Sequence, residues 1–92
     1  IEEKNLDVII LDLAEPWKVL QHAEKALKCG GFLVAYLPNI TQVVQLIKSL
    51  NSPFILDKAE EIIERDWIID DRVRPVNTIL GHTAFLVFIR KI

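Results

Sequence analysis

Two unbroken aliphatic runs constrain this chain most: Val8–Leu11, inside LDVIILDL (residues 6–13), and FLVAYL (residues 32–37). Neither alternates apolar with polar residues, which is the pattern of a strand buried on both faces of a parallel sheet. Between them, Trp17, Leu20, Ala23 and Leu27 recur at three- and four-residue spacing, so residues 16–28 read as a helix with one apolar stripe. Pro16 suits the first helical position, where a missing N–H costs nothing. Lys25 and Lys28 fall in the last turn, favourably for the helix dipole. Gly30-Gly31 are expected to stop the helix, one of them in a left-handed conformation. Strand, helix and strand in this order form a βαβ unit with parallel strands and a right-handed crossover.

The second half continues the alternation. Pro38-Asn39 is a turn, with Asn39 as N-cap and Gln42 three residues on as a weak capping box. Val43, Val44, Ile47 and Leu50 form the apolar face of a second helix, ended by Asn51-Ser52-Pro53. Residues 54–69 admit two readings. Ile55, Ala59 and Ile62 fit a helix, whereas the wealth of β-branched and aromatic residues favours a long strand, which is the expectation adopted. Residues 70–82 read as a polar loop holding Pro75 and Gly81. Residues 83–90, TAFLVFIR, form a last, central strand, antiparallel to 54–69. The fold class is thus α/β: a parallel strand-helix-strand-helix followed by an antiparallel strand pair, in a single domain over residues 1–92.

Composition narrows the function classes. Apolar residues make up 51% and charged residues 26% of the 92, the balance of a chain that folds around a core. No apolar run approaches the ~20 residues of a membrane-spanning helix, and the IEEKN start is no secretory signal, so a cytoplasmic setting without membrane is expected. Residues 1–46 hold 4 basic and 6 acidic groups and residues 47–92 hold 7 of each, so neither half announces a nucleic-acid partner by charge. Ile1 stands where an open reading frame begins with Met, and the chain has no Met at all, so a piece of a longer protein is expected. The lone Cys29 forms no internal disulfide and has no base partner; it reads as a small, buried or half-buried residue.

Asp12 carries the most weight among candidate functional residues. A carboxylate closing an apolar strand is costly unless it emerges into solvent or a site. In open α/β sheets, ligands bind at the carboxyl ends of the strands. From pattern alone three readings stand: Asp12 caps the next helix, marks where the strand meets water, or serves a site. Gly30-Gly31 follows a helix and precedes a strand, the reverse of a phosphate-binding loop. His22 and His82 lie far apart, with no Cys or His to complete a zinc site, so no metal is expected. His22 is placed on the wet side of its helix. Arg72, Arg74 and His82, on the long loop, are either ordinary solvated residues or contacts to an anionic substrate.

Two strings together go beyond pattern. Asp12-Leu13-x-Glu15-Pro16-Trp17-Lys18 with Ala26-Leu27-Lys28-x-Gly30-Gly31 resembles the second half of a class I S-adenosylmethionine-dependent methyltransferase. Arg74-Pro75 and Gly81-His82-Thr83 before a terminal apolar strand make the chain similar to the tRNA (adenine-N1)-methyltransferase family, from about Asp7 to Lys91. The resemblance implies a Rossmann-like sheet of order 3-2-1-4-5-7-6 with only strand 7 antiparallel, of which this chain supplies strands 4 to 7. It implies S-adenosyl-L-methionine as cofactor and tRNA as partner. It places Asp12 in the catalytic pocket, beside the cofactor, where a carboxylate orients the target adenine. Arg74 and His82 are weaker substrate-side candidates.

The departures are Cys29 where proline often precedes the glycine pair, Ala14 where proline is frequent, and Ala84 where glycine is expected after Gly-His-Thr. The glycine-rich donor loop and the ribose-binding acid belong to the first half of such a fold, so this chain alone is expected to bind the donor weakly or not at all and to be inactive. Without strands 1 to 3, the edge of Val8–Leu11 lacks a neighbour, an association hazard that predicts a homo-oligomer. Two rivals remain: another class I methyltransferase, and a non-enzymatic α/β self-association module.

Overall fold

A computed structural model of the chain describes residues 3–76 and 84–92. Its elements are β1 (Leu6–Leu11), a 3₁₀ turn (Pro16–Val19), α1 (Leu20–Ala26), β2 (Leu27–Leu37), α2 (Ile40–Lys48), β3 (Phe54–Ile62), β4 (Trp67–Ile69), β5 (Val73–Pro75) and β6 (Ala84–Lys91). Four strands form one sheet in the order β1-β2-β6-β3. β1 and β2 are parallel; β6 runs antiparallel to both β2 and β3. This is the expected half-sheet, with the one reversed strand in the expected place. β6 is central, as its apolar composition indicates.

Both helices lie on one face. Leu33, Ala35, Leu37, Val87 and Ile89 are buried to zero exposure beneath Leu20, Ala23, Ala26, Val43 and Leu46. The apolar face of α2 differs from the expected set: Val43 is buried, Ile47 and Leu50 pack against the core, Leu46 is its fully buried centre, and Val44 is exposed. Asn39 and Gln42 form the capping box of α2 in both directions, the Asn39 amide lying 3.2 Å from the Gln42 side-chain oxygen.

Several expectations are corrected. β1 is not buried on both faces: Ile9 and Leu11 are buried, but Val8 and Ile10 are 51% and 72% exposed, because among the described residues no helix covers the second face of the sheet. The long strand over 54–69 ends at Ile62. Residues 67–69 instead pair with 73–75, inside the expected loop, as a separate two-stranded ribbon. The helix over 16–28 is a 3₁₀ turn followed by seven α-helical residues. Leu27 already has extended backbone (ψ 135) because it pairs with Leu6.

Gly30-Gly31 therefore sits within β2 rather than stopping the helix. The register jumps from Leu6↔Leu27 to Val8↔Phe32, and Gly30 absorbs the irregularity at φ +86. A Cβ on Gly31 would lie 2.9 Å from the Asp7 carbonyl oxygen, so only glycine lets the two strands approach here. Lys28 makes an ion pair with Asp7 instead of serving the helix end. That service comes from Lys91, whose ammonium donates to the Glu24 and Leu27 carbonyls. Cys29 is exposed, not buried, because it stands on the same irregular stretch. His22 is exposed as expected.

Candidate functional site

Strand direction sets where chemistry can gather. β1 and β2 end together at Leu11↔Ala35 and Leu37, opposite Phe85 at the start of β6. Ala84 in turn pairs with Ile62, the last residue of β3. One end of the sheet thus presents Asp12, the Pro38-Asn39 turn and the departure point of the segment that carries Arg74. β1 and β3 are opposite edges, three strand spacings or about 14 Å apart.

Asp12 immediately follows β1 and is exposed. It is not a helix cap: Glu15 stands at the N-cap of the 3₁₀ turn and Val19 at that of α1, and neither end has a side-chain cap. Among the described residues Asp12 makes no hydrogen bond or ion pair, so its carboxylate is free to accept. The loop bearing it is held from both sides. Gln42 Nε2 donates to the Ala14 carbonyl at 3.0 Å, while Pro16 is buried and Lys18 pairs with Glu15 at 3.0 Å. Gln42 therefore does two things, closing the cap of α2 and tethering the Asp12 loop to it. The weak capping signal was legible in sequence; the tether, 28 residues away, was not. Beside this loop Leu11, Leu13, Val19 and His22 line an open apolar recess of about 290 Å³.

Sequence reasoning also missed Tyr36. It was absorbed into the apolar run of β2, yet it is 38% exposed near the carboxyl end of that strand, on the uncovered face. Its aromatic ring is a stacking surface one strand away from Asp12.

Arg74 lies on β5. Its Nη1 donates to Asp70 Oδ1 at 3.0 Å and to the Arg72 carbonyl at 3.1 Å, and the Arg72 amide donates to the same Asp70 oxygen at 2.8 Å. The Arg72 backbone N–H first, and the Arg74 guanidinium second, hold the Asp70 carboxyl below its ordinary value. Arg74 thus braces its own hairpin, which pairs with no other strand among the described residues. The topology brings it to the same end of the sheet as Asp12 without joining it to Asp12. His82 lies outside the described residues. Among the described residues no three metal-ligating side chains come together, and no helix is long and apolar enough to cross a membrane.

The sequence profile of the tRNA methyltransferase complex GCD14 subunit family matches residues 2–73. The chain is 48% identical over 93 aligned residues to the tRNA (adenine(58)-N(1))-methyltransferase TrmI of Thermus thermophilus, covering 99% of this chain and 36% of that protein. It is 43% identical to the tRNA (adenine(57)-N(1)/adenine(58)-N(1))-methyltransferase TrmI of Methanocaldococcus jannaschii, covering 98% and 33%. Among solved structures, the tRNA (m1A58) methyltransferase TrmI of Aquifex aeolicus superposes with a TM-score of 0.80 at 33% identity, covering 100% of this chain and 38% of that one. A SAM-dependent O-methyltransferase from Thermotoga maritima superposes with a TM-score of 0.82, also at 33% identity, covering 100% and 36%. The chain spans about a third of the length of the curated relatives it matches. By the profile that matches most of its length, the chain belongs to the tRNA methyltransferase complex GCD14 subunit family.

Proposed function

We propose that residues 1–92 are the carboxyl-terminal portion of the catalytic domain of an S-adenosylmethionine-dependent tRNA adenine-N1 methyltransferase, and that Asp12 is its pocket carboxylate. The observation that carries this reading is the placement of Asp12. It stands exposed and unpartnered at the carboxyl end of the edge strand, on a loop tethered by Gln42 to the neighbouring helix. The names of the relatives support the substrate class.

The donor supplies an electrophilic sulfonium methyl. The described residues fit one side of such a ligand: the open edge of β1, the Asp12 loop and the apolar recess beside it. The chain's own part is on the acceptor side. The Asp12 carboxylate accepts a hydrogen bond from the exocyclic amino group of adenine, which aims the N1 lone pair at the methyl. As the N1–carbon bond forms and the sulfur–carbon bond breaks, positive charge appears on the adenine ring, and the same carboxylate stabilises it. The base reaches this pocket by leaving its stack, and Tyr36 offers a ring for it to stack on. Arg74 and His82 act as contacts to the tRNA backbone.

The open edge and uncovered face support the half-domain reading. Val8 and Ile10 on β1 and Tyr36 on β2 form an apolar surface bounded by the outer edge of β1, which pairs with no strand among the described residues. In the parent, preceding strands and helices of the same polypeptide cover it; in the isolated chain, a second copy pairs with the β1 edge. A sedimentation run giving an oligomer is expected, and a strict monomer contradicts the self-pairing. The functional test uses the longer parent with labelled donor and tRNA, with the methylated nucleoside identified by mass spectrometry. N1-methyladenosine is the expected product. Methyl transfer to a small molecule or a protein but not to tRNA overturns the reading.

A further inference from the structure

A second recess lies where the exposed side of α1 and the 3₁₀ turn before it face the loop from α2 to β3. It has a volume of about 270 Å³ and is lined in part by Trp17, Gln21, Glu24, Asn51 and Ser52. Its lining shares no residue with the recess beside Asp12. Its loop leads into Phe54, which pairs with Lys91 at the last turn of β6, beside the amino ends of the parallel strands. Gln21 and Glu24 lie three residues apart on one face of α1, and Trp17 stands on the 3₁₀ turn just before it. Buried Leu20 and Phe54 form an apolar floor.

One polar group on the lining is already used, since the Ser49 hydroxyl donates to the Gln45 carbonyl at 2.8 Å. Among the described residues the side chains of Gln21, Glu24, Asn51 and Ser52 take no hydrogen bond and no ion pair. Glu24 engages Lys91 only through its backbone carbonyl. An indole, one carboxylate and two primary amides around a volume of this size form a complementary set for one planar ring. The indole stacks; the carboxylate accepts from two parallel N–H groups; an amide NH₂ donates to a carbonyl oxygen. A guanine base presents that sequence of two donors and one acceptor along one edge, whereas adenine offers a single amino donor there, so a carboxylate placed for two parallel N–H groups finds only one.

We propose that this recess binds a guanine base, stacked on Trp17 and held at its N1–H and 2-amino edge by Glu24. The base comes either from a free nucleoside or from single-stranded RNA, and the inference does not depend on the reading of Asp12.

The test uses the 92-residue chain with Trp67→Phe, which leaves Trp17 as the only indole. Guanosine is expected to quench its fluorescence saturably, with adenosine giving no saturable change and inosine, which lacks the 2-amino group, binding more weakly. Glu24→Gln is expected to weaken guanosine binding about tenfold or more, the effect of losing a bidentate contact. Glu24 is exposed, and its side chain is unpartnered, so an unchanged circular dichroism spectrum is expected for this variant. Asn51→Ala supplies a second, independent lesion with a smaller loss. A single-stranded RNA tetramer with one guanine binding tighter than guanosine identifies RNA as the source; equal or weaker binding identifies the free nucleoside. No saturable quenching by either probe, equal quenching by adenosine, or unaltered binding by Glu24→Gln overturns the proposal.

Discussion

The two faces of the sheet are built from the same strands and have opposite fates. On β2, Leu33, Ala35 and Leu37 are at zero exposure under the helices, while Tyr36 between them is 38% exposed. On β1, Ile9 and Leu11 are buried and their neighbours Val8 and Ile10 are not. Residue type does not distinguish the two sets, since both are aliphatic or aromatic. The side-chain alternation of a strand sends them to different faces, and only one face has helices in this chain. An apolar face without a cover marks a surface suited to contact with a partner.

That contrast breaks most directly on a pair of truncations. Leu46→Ala, on the side of α2 that packs on the covered face, is expected to cost about 2–5 kcal/mol in urea denaturation. Ile10→Ala, at 72% exposure, is expected to cost well under about 1 kcal/mol. An equal loss at both positions means that the open face is covered in solution by another copy.

The strand approach is the next largest effect. Gly31→Ala drives a Cβ against the Asp7 carbonyl and Leu27 and is expected to destabilise by about 1–3 kcal/mol. Gly30→Ala meets no atom within 4 Å but must hold φ +86, so its expected cost is about 1 kcal/mol. The reverse ranking, by thermal or urea melts, would mean that β1 does not lie where Leu6↔Leu27 and Val8↔Phe32 place it.

Gln42→Ala sharpens the comparison at the carboxyl end, because it loosens the Asp12 loop without touching either face. About 1 kcal/mol of stability is expected to go with the cap and the tether. Backbone amide shifts over residues 12–15 are expected to move. Unmoved shifts contradict the tether.

The smallest effect belongs to the hairpin of β4 and β5. Asp70 has its carboxyl held low by the Arg72 backbone N–H and by Arg74, so its contribution is present above the ordinary aspartate range. It is lost as pH falls through the lowered value. Amide shifts of Arg72 and Arg74 are expected to change below about pH 4 while those of Leu33 and Val87 stay fixed. A hairpin indifferent to acid contradicts the Asp70 brace.

Much of this architecture was legible in the residues. The two aliphatic runs and the stripe at Trp17, Leu20, Ala23 and Leu27 suffice for the βαβ unit, because buried strands and amphipathic helices differ in period. The strand order followed from resemblance rather than periodicity. What stayed hidden depends on long-range geometry. The exposure of Val8 and Ile10 could not be read, since a run buried on both faces and one buried on a single face have the same composition. The break after Ile62 was masked by Trp67, Ile68 and Ile69, which continue the β-forming composition into a different ribbon. Gly30-Gly31 read as a helix stop because the local pattern cannot reveal that Leu27 pairs with Leu6. At the candidate site, Asp12 stood out as a charge closing an apolar strand, whereas Gln42 and Tyr36 carry no local signal of their place beside it.

The most direct test of the proposed role of Asp12 is methyl transfer to tRNA by the longer enzyme of which we propose this chain is part, carrying Asp12→Asn, with donor affinity and melting temperature measured alongside. A fall in kcat of about 100-fold or more is expected, because a carboxylate that orients the base and faces the developing charge acts on the chemical step. Donor binding and stability are expected to hold, since the side chain has no partner among the described residues. Full kcat in the Asp12→Asn enzyme would contradict the assignment and return Asp12 to an acidic residue that only marks where β1 meets water.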